Sequence, residues 1–250
     1  MKPQLLAAIA LALATPSFAQ EEEEENKGWT GEGSLGAGIT TGNTDTVDLA
    51  VGLKGTKETE LWKYTAEAGY DFGEVEGDTS RNRWFVAGQV DRTFSERFYG
   101  FSRITYEQDD FSGFDTRLFA GVGAGYHIFK RERLRWTIEA APGYRRDEVA
   151  DTLDLGPPPT IIEGGIENNF ALRGSSAFGY DFNENVTFTN DTSVVWTDLS
   201  TQTINTTAIN AGLTDSITAR ISFEVRNDTN PPDGFVNTDT ATRLSIVYGF

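Results

Sequence analysis

The strongest constraint on the fold of this chain is an alternation of apolar and polar residues with a period of two. From Gly28 onward the alternation recurs in about twelve segments, and no segment shows a helical pattern. Because successive side chains of a β-strand point to opposite faces, each segment predicts a strand with one apolar and one polar face. The predicted strands cover residues 29–40, 47–54, 62–72, 83–91, 98–107, 117–128, 134–145, 166–173, 186–196, 203–213, 217–226 and 238–250. The segment 203–213 is weak, since apolar residues occur on both of its faces, and it is assigned by its position.

The last segment, Thr238 to Phe250, reads TDTATRLSIVYGF and carries Leu244, Ile246, Tyr248 and Phe250 on one face. Such a terminal apolar strand would be an exposed, aggregation-prone edge unless it pairs with another strand and turns its apolar face to lipid. It is similar to the closing strand of bacterial outer-membrane β-barrels, whose C-terminal aromatic residue is read by the barrel assembly machinery. The resemblance implies that Tyr248 and Phe250 form the assembly signal.

Composition excludes several classes of protein. The chain has no cysteine, which removes disulfides, thiolate metal sites and a cysteine nucleophile. Its formal net charge of −17 argues against a nucleic-acid partner, because a phosphate-binding face needs a basic excess. No run of eighteen apolar residues occurs, so we expect no transmembrane helix. A β-barrel remains possible, because the alternating apolar and polar residues of its strands give a low mean hydropathy.

The N-terminus has the pattern of an export signal. Lys2 is followed by an apolar run from Leu5 to Ala14 and by Ser17-Phe18-Ala19, which fits the small-x-small cleavage rule. We therefore predict a signal peptide at residues 1–19, a disordered acidic tail at 20–27 and a barrel at 28–250. The alternatives are a buried N-terminal helix, and a binding role for the Glu21 to Glu25 run toward cations or a basic partner.

Connection lengths and aromatic positions favour an outer-membrane barrel over a soluble β-sandwich. With both termini in the periplasm, the connections predicted to face outward are residues 73–80, 108–114, 147–163 and 227–237, and those predicted to face the periplasm are 94–97, 130–133, 181–185 and 214–216. Long outer loops and short periplasmic turns are typical of such barrels. The five tryptophans lie near strand ends on the apolar face, which predicts two interfacial girdles; a sandwich core is the alternative.

Several segments together resemble one family. They are GWTGEGSLGAGITTGNTDT (28–46), NRWFVAGQVDRTFSERFYGFSRITYEQDDFSGFD (82–115), GVGAGYHIF (121–129), APGYRRDE (141–148) and the close of RNDTNPPDGFVNTDTATRLSIVYGF (226–250). The chain resembles the Gram-negative family known as domain of unknown function 481, whose members are sometimes described as salt-induced outer-membrane proteins. The resemblance implies an outer-membrane barrel, with envelope lipids and the assembly machinery as partners. It supplies no substrate or catalytic residue, and the loop 147–163 matches nothing in it.

The polar face of the strands predicts a charged lumen. Its candidate charges are Arg83, Arg103, Arg117, Arg135, Arg145, Arg173, Glu67, Glu107, Glu139 and Glu167. About eleven basic and ten acidic residues share this face in all, which is close to balance. Long paired side chains could close a barrel of about twelve strands, which is narrower than a 16-strand porin. Alternatively they could leave a narrow channel, and the missing basic excess argues against strong anion selectivity.

No catalytic residue, metal site or cofactor is predicted. A rim-type lipid hydrolase would need a Ser–His pair at the outer rim, whereas His127 is the only histidine and is predicted to face the lumen at the periplasmic end. Asp228, Asn230, Asp233 and Gly234 resemble a calcium loop, but their spacing misses the EF-hand rule. The sequence leaves open any transported solute, the state of the lumen and the oligomeric state.

Overall fold

The fold is a closed antiparallel β-barrel of twelve strands, with a separate two-stranded hairpin. A computed structural model describes residues 28–41, 46–75, 77–154, 156, 160–232 and 234–250. The barrel strands are β1 (Thr30–Thr41), β2 (Thr46–Glu58), β3 (Trp62–Val75), β4 (Asp78–Thr93), β5 (Phe98–Asp109), β6 (Phe114–Lys130), β7 (Leu134–Val149), β10 (Ile166–Asp181), β11 (Val186–Trp196), β12 (Thr201–Gly212), β13 (Ile217–Asp228) and β14 (Thr238–Gly249), and the hairpin strands are β8 (Thr152–Asp154) and β9 (Thr160–Ile162). The predicted fold class and strand number are confirmed, including the weak segment that becomes β12.

The barrel closes through its first and last strands. β1 pairs antiparallel with β14, from Thr41 opposite Thr240 to Glu32 opposite Gly249. The Gly31 amide donates to the Phe250 carbonyl at 2.7 Å, and the Phe250 amide donates to the Gly31 carbonyl at 2.9 Å. The terminal strand therefore has a neighbour on both sides, and its apolar face remains on the outside of the barrel.

The two ends of the barrel differ. One end, called here the turn end, carries the start of β1, the end of β14 and short connections at residues 59–61, 94–97, 131–133, 182–185 and 213–216. The opposite end, called the loop end, carries the connections 42–45, 76–77, 110–113, 150–165 and 229–237, together with 197–200. Only 150–165, which contains the β8–β9 hairpin, and 229–237 are long.

Two predicted outer loops are shorter in the structure. Residues 73–80 were predicted as a loop, yet β3 continues to Val75 and β4 begins at Asp78. The turn between them needs only two residues, and Gly77 supplies the positive φ of 91° that such a tight hairpin requires. The prediction of a loop over residues 108–114 was wrong at both ends. Strand β5 continues to Asp109 and β6 begins at Phe114, so only residues 110–113 connect the two strands. The added ends of β3 and β4 are mostly polar on both faces, as at Glu74, Asp78 and Thr79, so apolar–polar alternation does not reveal them.

The outer face is apolar, with aromatic side chains toward both ends. Trp29, Trp62 and Tyr248 lie near the turn end, and Tyr70 and Trp196 lie near the loop end, all between 38% and 57% exposed. This arrangement agrees with two interfacial girdles. Among the described residues there is no helix long and apolar enough to cross a membrane. The predicted signal peptide and acidic tail, the turn at 42–45 and the prolines at 157–159 lie outside the described residues.

Candidate functional site

The lumen holds the charged side chains that alternate with the apolar outer residues. Asp48, Arg83 and Arg145 are only 1%, 7% and 2% exposed, whereas Leu49, next to Asp48 in sequence, is 59% exposed. The polar face of the strands therefore points inward. Burial of so many charges requires partners, because an isolated buried charge is very costly.

Eight of these charges form one connected network near the loop end. They are Asp48, Asp71, Arg81, Arg83, Glu107, Glu224, Arg226 and Arg243, joined by nitrogen–oxygen contacts of 4.0 Å or less. Four arginines face four carboxylates, so the formal charge of this eight-charge network is 4 − 4 = 0.

The network spans the lumen from wall to wall. Arg226 Nη2 donates to both carboxylate oxygens of Glu107, at 2.7 and 2.9 Å. Arg226 is on β13 and Glu107 is on β5, and five strands lie between them in either direction around the barrel. Glu107 also accepts from Arg83 Nη2 at 3.0 Å, and Arg83 Nη1 donates to Asp71 at 3.0 Å. A continuous line of charge-assisted hydrogen bonds thus crosses the lumen.

Two further ion pairs lie beside the network. Arg117 on β6 donates to Asp228 on β13 at 2.8 Å, and its guanidinium carbon lies 3.6 Å from the centre of the Phe114 ring. Arg145 Nε donates to Asp147, two residues along β7, at 2.8 and 2.9 Å. The Arg117 pair is a second connection between distant walls, since four strands separate β6 from β13 on the shorter path.

The connection 229–237 reaches over the loop-end mouth. Pro232 and Phe235 lie so close to Gly113 that a Cβ there would come within 2.8 to 2.9 Å of their side chains. Gly113 belongs to the β5–β6 connection, on the wall opposite β13 and β14. Between this loop and the network remains a cavity of about 50 Å³, lined in part by Arg81, Arg117 and Asp228. Such a volume holds a few waters rather than an organic solute.

The turn-end half of the lumen is arranged differently. Glu139 accepts from Gln89 at 2.8 Å, Tyr99 at 2.9 Å, Arg173 at 3.0 Å and Ser175 at 2.9 Å. These residues lie on β4, β5, β7 and β10, which are close together along one wall. Across from them the lumen is more open.

That openness is visible in the exposure of the opposite wall. The Lys54 side chain is 49% exposed, and the Arg220 and Glu32 side chains, 3.6 Å apart, are 30% and 41% exposed. Arg103 pairs with Glu67 at 3.2 Å, and Glu67 also contacts Lys54 at 3.3 Å. The turn-end half therefore carries charges along its wall without a bond between opposite walls among the described residues.

The ten predicted lumen charges occupy different positions in this arrangement. Arg83 and Glu107 belong to the eight-charge network, and Arg117 and Arg145 form the pairs beside it. Arg103, Glu67, Arg173 and Glu139 lie in the turn-end half, and Arg135 pairs with Asp181 at 2.6 Å at the turn end itself. Glu167 lies on β10, opposite Asp147 on β7, and forms no ion pair with the described residues.

Sequence reasoning missed several partners of these charges. Arg81 and Asp147 are each two residues from one of the ten predicted lumen charges, and Asp228 is two residues from Arg226, but all three fall beyond the predicted strand ends. The signal that could have revealed them is a charge at i and i+2, as in Arg81 and Arg83 or Arg226 and Asp228. Such a pair continues the polar face of a strand even where the apolar face has ended.

His127 lies in the lumen near the turn end. Its Nδ1 is 2.8 Å from Thr137 Oγ1, and its ring centre is 5.2 Å from that of Tyr99. This is not the Ser–His geometry of a hydrolase. Among the described residues no three His, Asp or Glu side chains group as a metal site requires. Asp233 of the calcium-like sequence lies outside the described residues.

Comparison with known proteins identifies the family. The family model for proteins of unknown function DUF481 matches residues 33–250. The chain belongs to this family. The family resemblance seen in the sequence is therefore confirmed. No curated protein matches this DUF481 chain.

Solved structures of outer-membrane proteins share its fold. The NanC porin is 16% identical, with 86% of this chain and 98% of the porin covered and a TM-score of 0.55. An outer-membrane channel from Pseudomonas putida F1 is 11% identical, with 92% and 100% covered and a TM-score of 0.56. The translocator domain of the autotransporter NalP from Neisseria meningitidis is 10% identical, with 89% and 88% covered and a TM-score of 0.52. At these identities the likeness establishes the fold, an outer-membrane type of barrel.

Proposed function

We propose that this DUF481 protein is a non-enzymatic barrel of the outer membrane of a Gram-negative bacterium, and that its lumen is closed or weakly conducting. Export would use a signal peptide cleaved after residue 19, and the loop end would face outward. Its partners would be outer-membrane lipids and, during insertion, the barrel assembly machinery. The observation that carries the closed lumen is the bond between Arg226 and Glu107 on opposite walls.

Passage of a solute would require this bond to open. Both side chains are only 12% exposed, so separation would leave two buried charges without their partners. Loss of a buried charge partner costs about 3–5 kcal/mol. The loop 229–237 adds a second obstruction above the network. A closed barrel of this kind would serve as a rigid component of the envelope, and the family resemblance connects such a role with salt stress.

Single-channel conductance in a planar bilayer tests the proposal. We expect the folded wild-type protein, identified by heat-modifiable gel migration, to show little or no current. The Glu107→Ala, Arg226→Ala double variant removes the bridge without changing the net charge and should raise the conductance. The matched control is Arg135→Ala with Asp181→Ala, a neutral pair removed at the turn end, which should leave the conductance unchanged. Large wild-type openings that the bridge variant does not alter would contradict the closed lumen.

A narrow channel for small solutes is the second candidate. It is favoured by the open turn-end half, where Lys54 and Glu32 remain substantially exposed. Discrete openings of the wild-type protein would support it. The sign of the reversal potential across a salt gradient would then show whether the arginines or the carboxylates control permeation.

A further inference from the structure

Positive charge is concentrated in one sector of the turn end. Counted with two flanking residues on each side, the turns 94–97 and 131–133 carry six basic and two acidic residues, a net charge of +4. The other three turns of this end, counted in the same way, carry two basic and five acidic residues, a net charge of −3. The first two turns are neighbours, because β5 pairs with β6; with their flanking residues, 92–99 and 129–135, they are called here the basic sector. In a chain whose formal net charge is −17, this sector is where an anionic partner would be attracted.

Two arginines of the basic sector lie against aromatic rings of the outer wall. Arg92 is opposite Trp62 in the register of β3 and β4. Its guanidinium carbon lies 5.5 Å from the centre of the Trp62 ring and 5.7 Å from that of Phe94. The guanidinium carbon of Arg131 lies 5.4 Å from the centre of the Phe129 ring. Contacts of this length are cation–π interactions, which hold each guanidinium next to its ring.

The rings that contact these arginines belong to the aromatic girdle of the turn end. Trp62 and Phe94 are 38% and 59% exposed on the outer wall. Phe94 stacks on Phe98 with ring centres 5.9 Å apart, and Phe129 contacts Trp136 with ring centres 6.2 Å apart. Aromatic side chains of a girdle lie at the level of the lipid headgroups. The two guanidiniums are therefore held at that level.

The hydrogen-bond donors of Arg92 and Arg131 are not used within the protein. Neither guanidinium forms a hydrogen bond or an ion pair with the described residues, although Glu96 and Glu132 lie in the same two turns. Both arginines are exposed. A guanidinium carries five N–H donors in a planar arrangement that matches the oxygens of a phosphate group. The basic sector thus offers positioned, unused donors to an anion at the level of the headgroups.

We propose that the basic sector binds the headgroup phosphates of anionic phospholipids. The proposal rests on the outer-membrane location proposed above, with the turn end toward the periplasm. A lipid fits this place better than a soluble anion, because the same strands continue into the exposed aliphatic residues Ile104, Val122 and Ile138, which acyl chains would cover. One strand separates β4 from β6, so the two arginines extend from strands about 10 Å apart. Each arginine would therefore bind the phosphate of a separate lipid.

Native mass spectrometry of the detergent-solubilised protein with added phosphatidylglycerol tests this site. The wild-type protein should retain two lipid molecules, and Arg92→Gln or Arg131→Gln should weaken the binding of one of them about tenfold, since a charge-assisted hydrogen bond is lost. The matched control is Arg146→Gln, which removes an exposed arginine opposite Leu118 near the loop end and should bind like the wild type. Heat-modifiable migration verifies that each variant is folded.

Three results would overturn the proposal. The first is weakening by Arg146→Gln equal to that by the two sector variants, which would mean that net charge alone attracts the lipid. The second is equally tight binding of zwitterionic phosphatidylcholine. The third is displacement of phosphatidylglycerol by inorganic phosphate at the same concentration, which would mean that the arginines take a free anion rather than a lipid.

A further variant leaves every charge in place. Trp62→Leu removes a ring beside Arg92 and should weaken phosphatidylglycerol binding about threefold, as expected for an exposed cation–π contact. Trp84→Leu, opposite Tyr70 near the loop end, should not. Equal binding by the two tryptophan variants would refute a role for the ring in positioning Arg92. A protein that fractionates with the outer membrane but binds no phosphatidylglycerol contradicts the lipid site alone, because its location and its conductance are measured separately.

Discussion

Arg226 and Glu107 meet across the full width of the barrel, 119 residues apart in sequence and on strands with five others between them in either direction. Two hydrogen bonds from one guanidinium nitrogen join them at 2.7 and 2.9 Å. The contact both obstructs the lumen and ties opposite walls together. Its removal should therefore affect stability as well as permeation.

The effect of this contact on stability can be tested separately from permeation at Glu107. Its carboxylate accepts hydrogen bonds from both Arg83 and Arg226. Glu107→Ala leaves two buried guanidiniums without this carboxylate, and we expect the free energy of unfolding to fall by about 3–5 kcal/mol. The measurement is reversible urea unfolding in lipid vesicles, followed by tryptophan fluorescence. Glu167→Ala is the control, because Glu167 forms no ion pair with the described residues, and it should change the value by less than about 0.5 kcal/mol. Equal losses for the two variants would refute a special role for the bridge.

Two ion pairs of similar length should differ in strength because they differ in burial. Arg117 and Asp228, 2.8 Å apart, have side chains 11% and 13% exposed, whereas Arg135 and Asp181, 2.6 Å apart, are 50% and 22% exposed. Double-mutant cycles with alanine should give a coupling energy of about 1–3 kcal/mol for the buried pair. The exposed pair should give about 0–1 kcal/mol and weaken with added salt. A larger coupling energy for Arg135 and Asp181 than for Arg117 and Asp228 would contradict this prediction.

Alternation predicted much of this architecture, because a period of two assigns each residue to a face without knowledge of its neighbours. It assigned Arg83 and Glu107 to the inner face, and the structure leaves their side chains only 8% and 12% exposed. It could not predict that Glu107 meets Arg226, since that contact depends on how many strands close the barrel and on their stagger. It also missed Arg81 and Asp228, because the strands continue into polar sequence where the apolar face has ended.

The terminal aromatic residue should matter for assembly more than for the folded barrel. Backbone hydrogen bonds to Gly31 hold Phe250 in the closing seam, and its ring stacks on Tyr248 with centroids 6.3 Å apart. Phe250→Ala keeps those backbone bonds and removes the ring. We expect less heat-modifiable protein in the outer membrane of cells, with little change in refolding of the purified chain into lipid. Phe98→Ala, another exposed ring at the turn end, is the control; equal assembly defects would argue against a terminal signal.

A substitution at Gly113 should displace the loop 229–237 from the loop-end mouth of the barrel. Gly113 has a φ of 78°, and a Cβ built there would lie within 2.8 to 2.9 Å of the Pro232 and Phe235 side chains, whereas Gly77 has a φ of 91° with no atom within 4 Å of a Cβ built there. Gly113→Val and Gly77→Val therefore share the backbone strain of a β-branched residue at positive φ, and only the first also pushes against the loop 229–237. We expect Gly113→Val to speed proteolysis within that loop on intact cells and, in the bridge-free background, to raise the conductance further. Gly77→Val should do neither. Matching behaviour of the two variants would mean that backbone strain, rather than the loop contact, determines the effect.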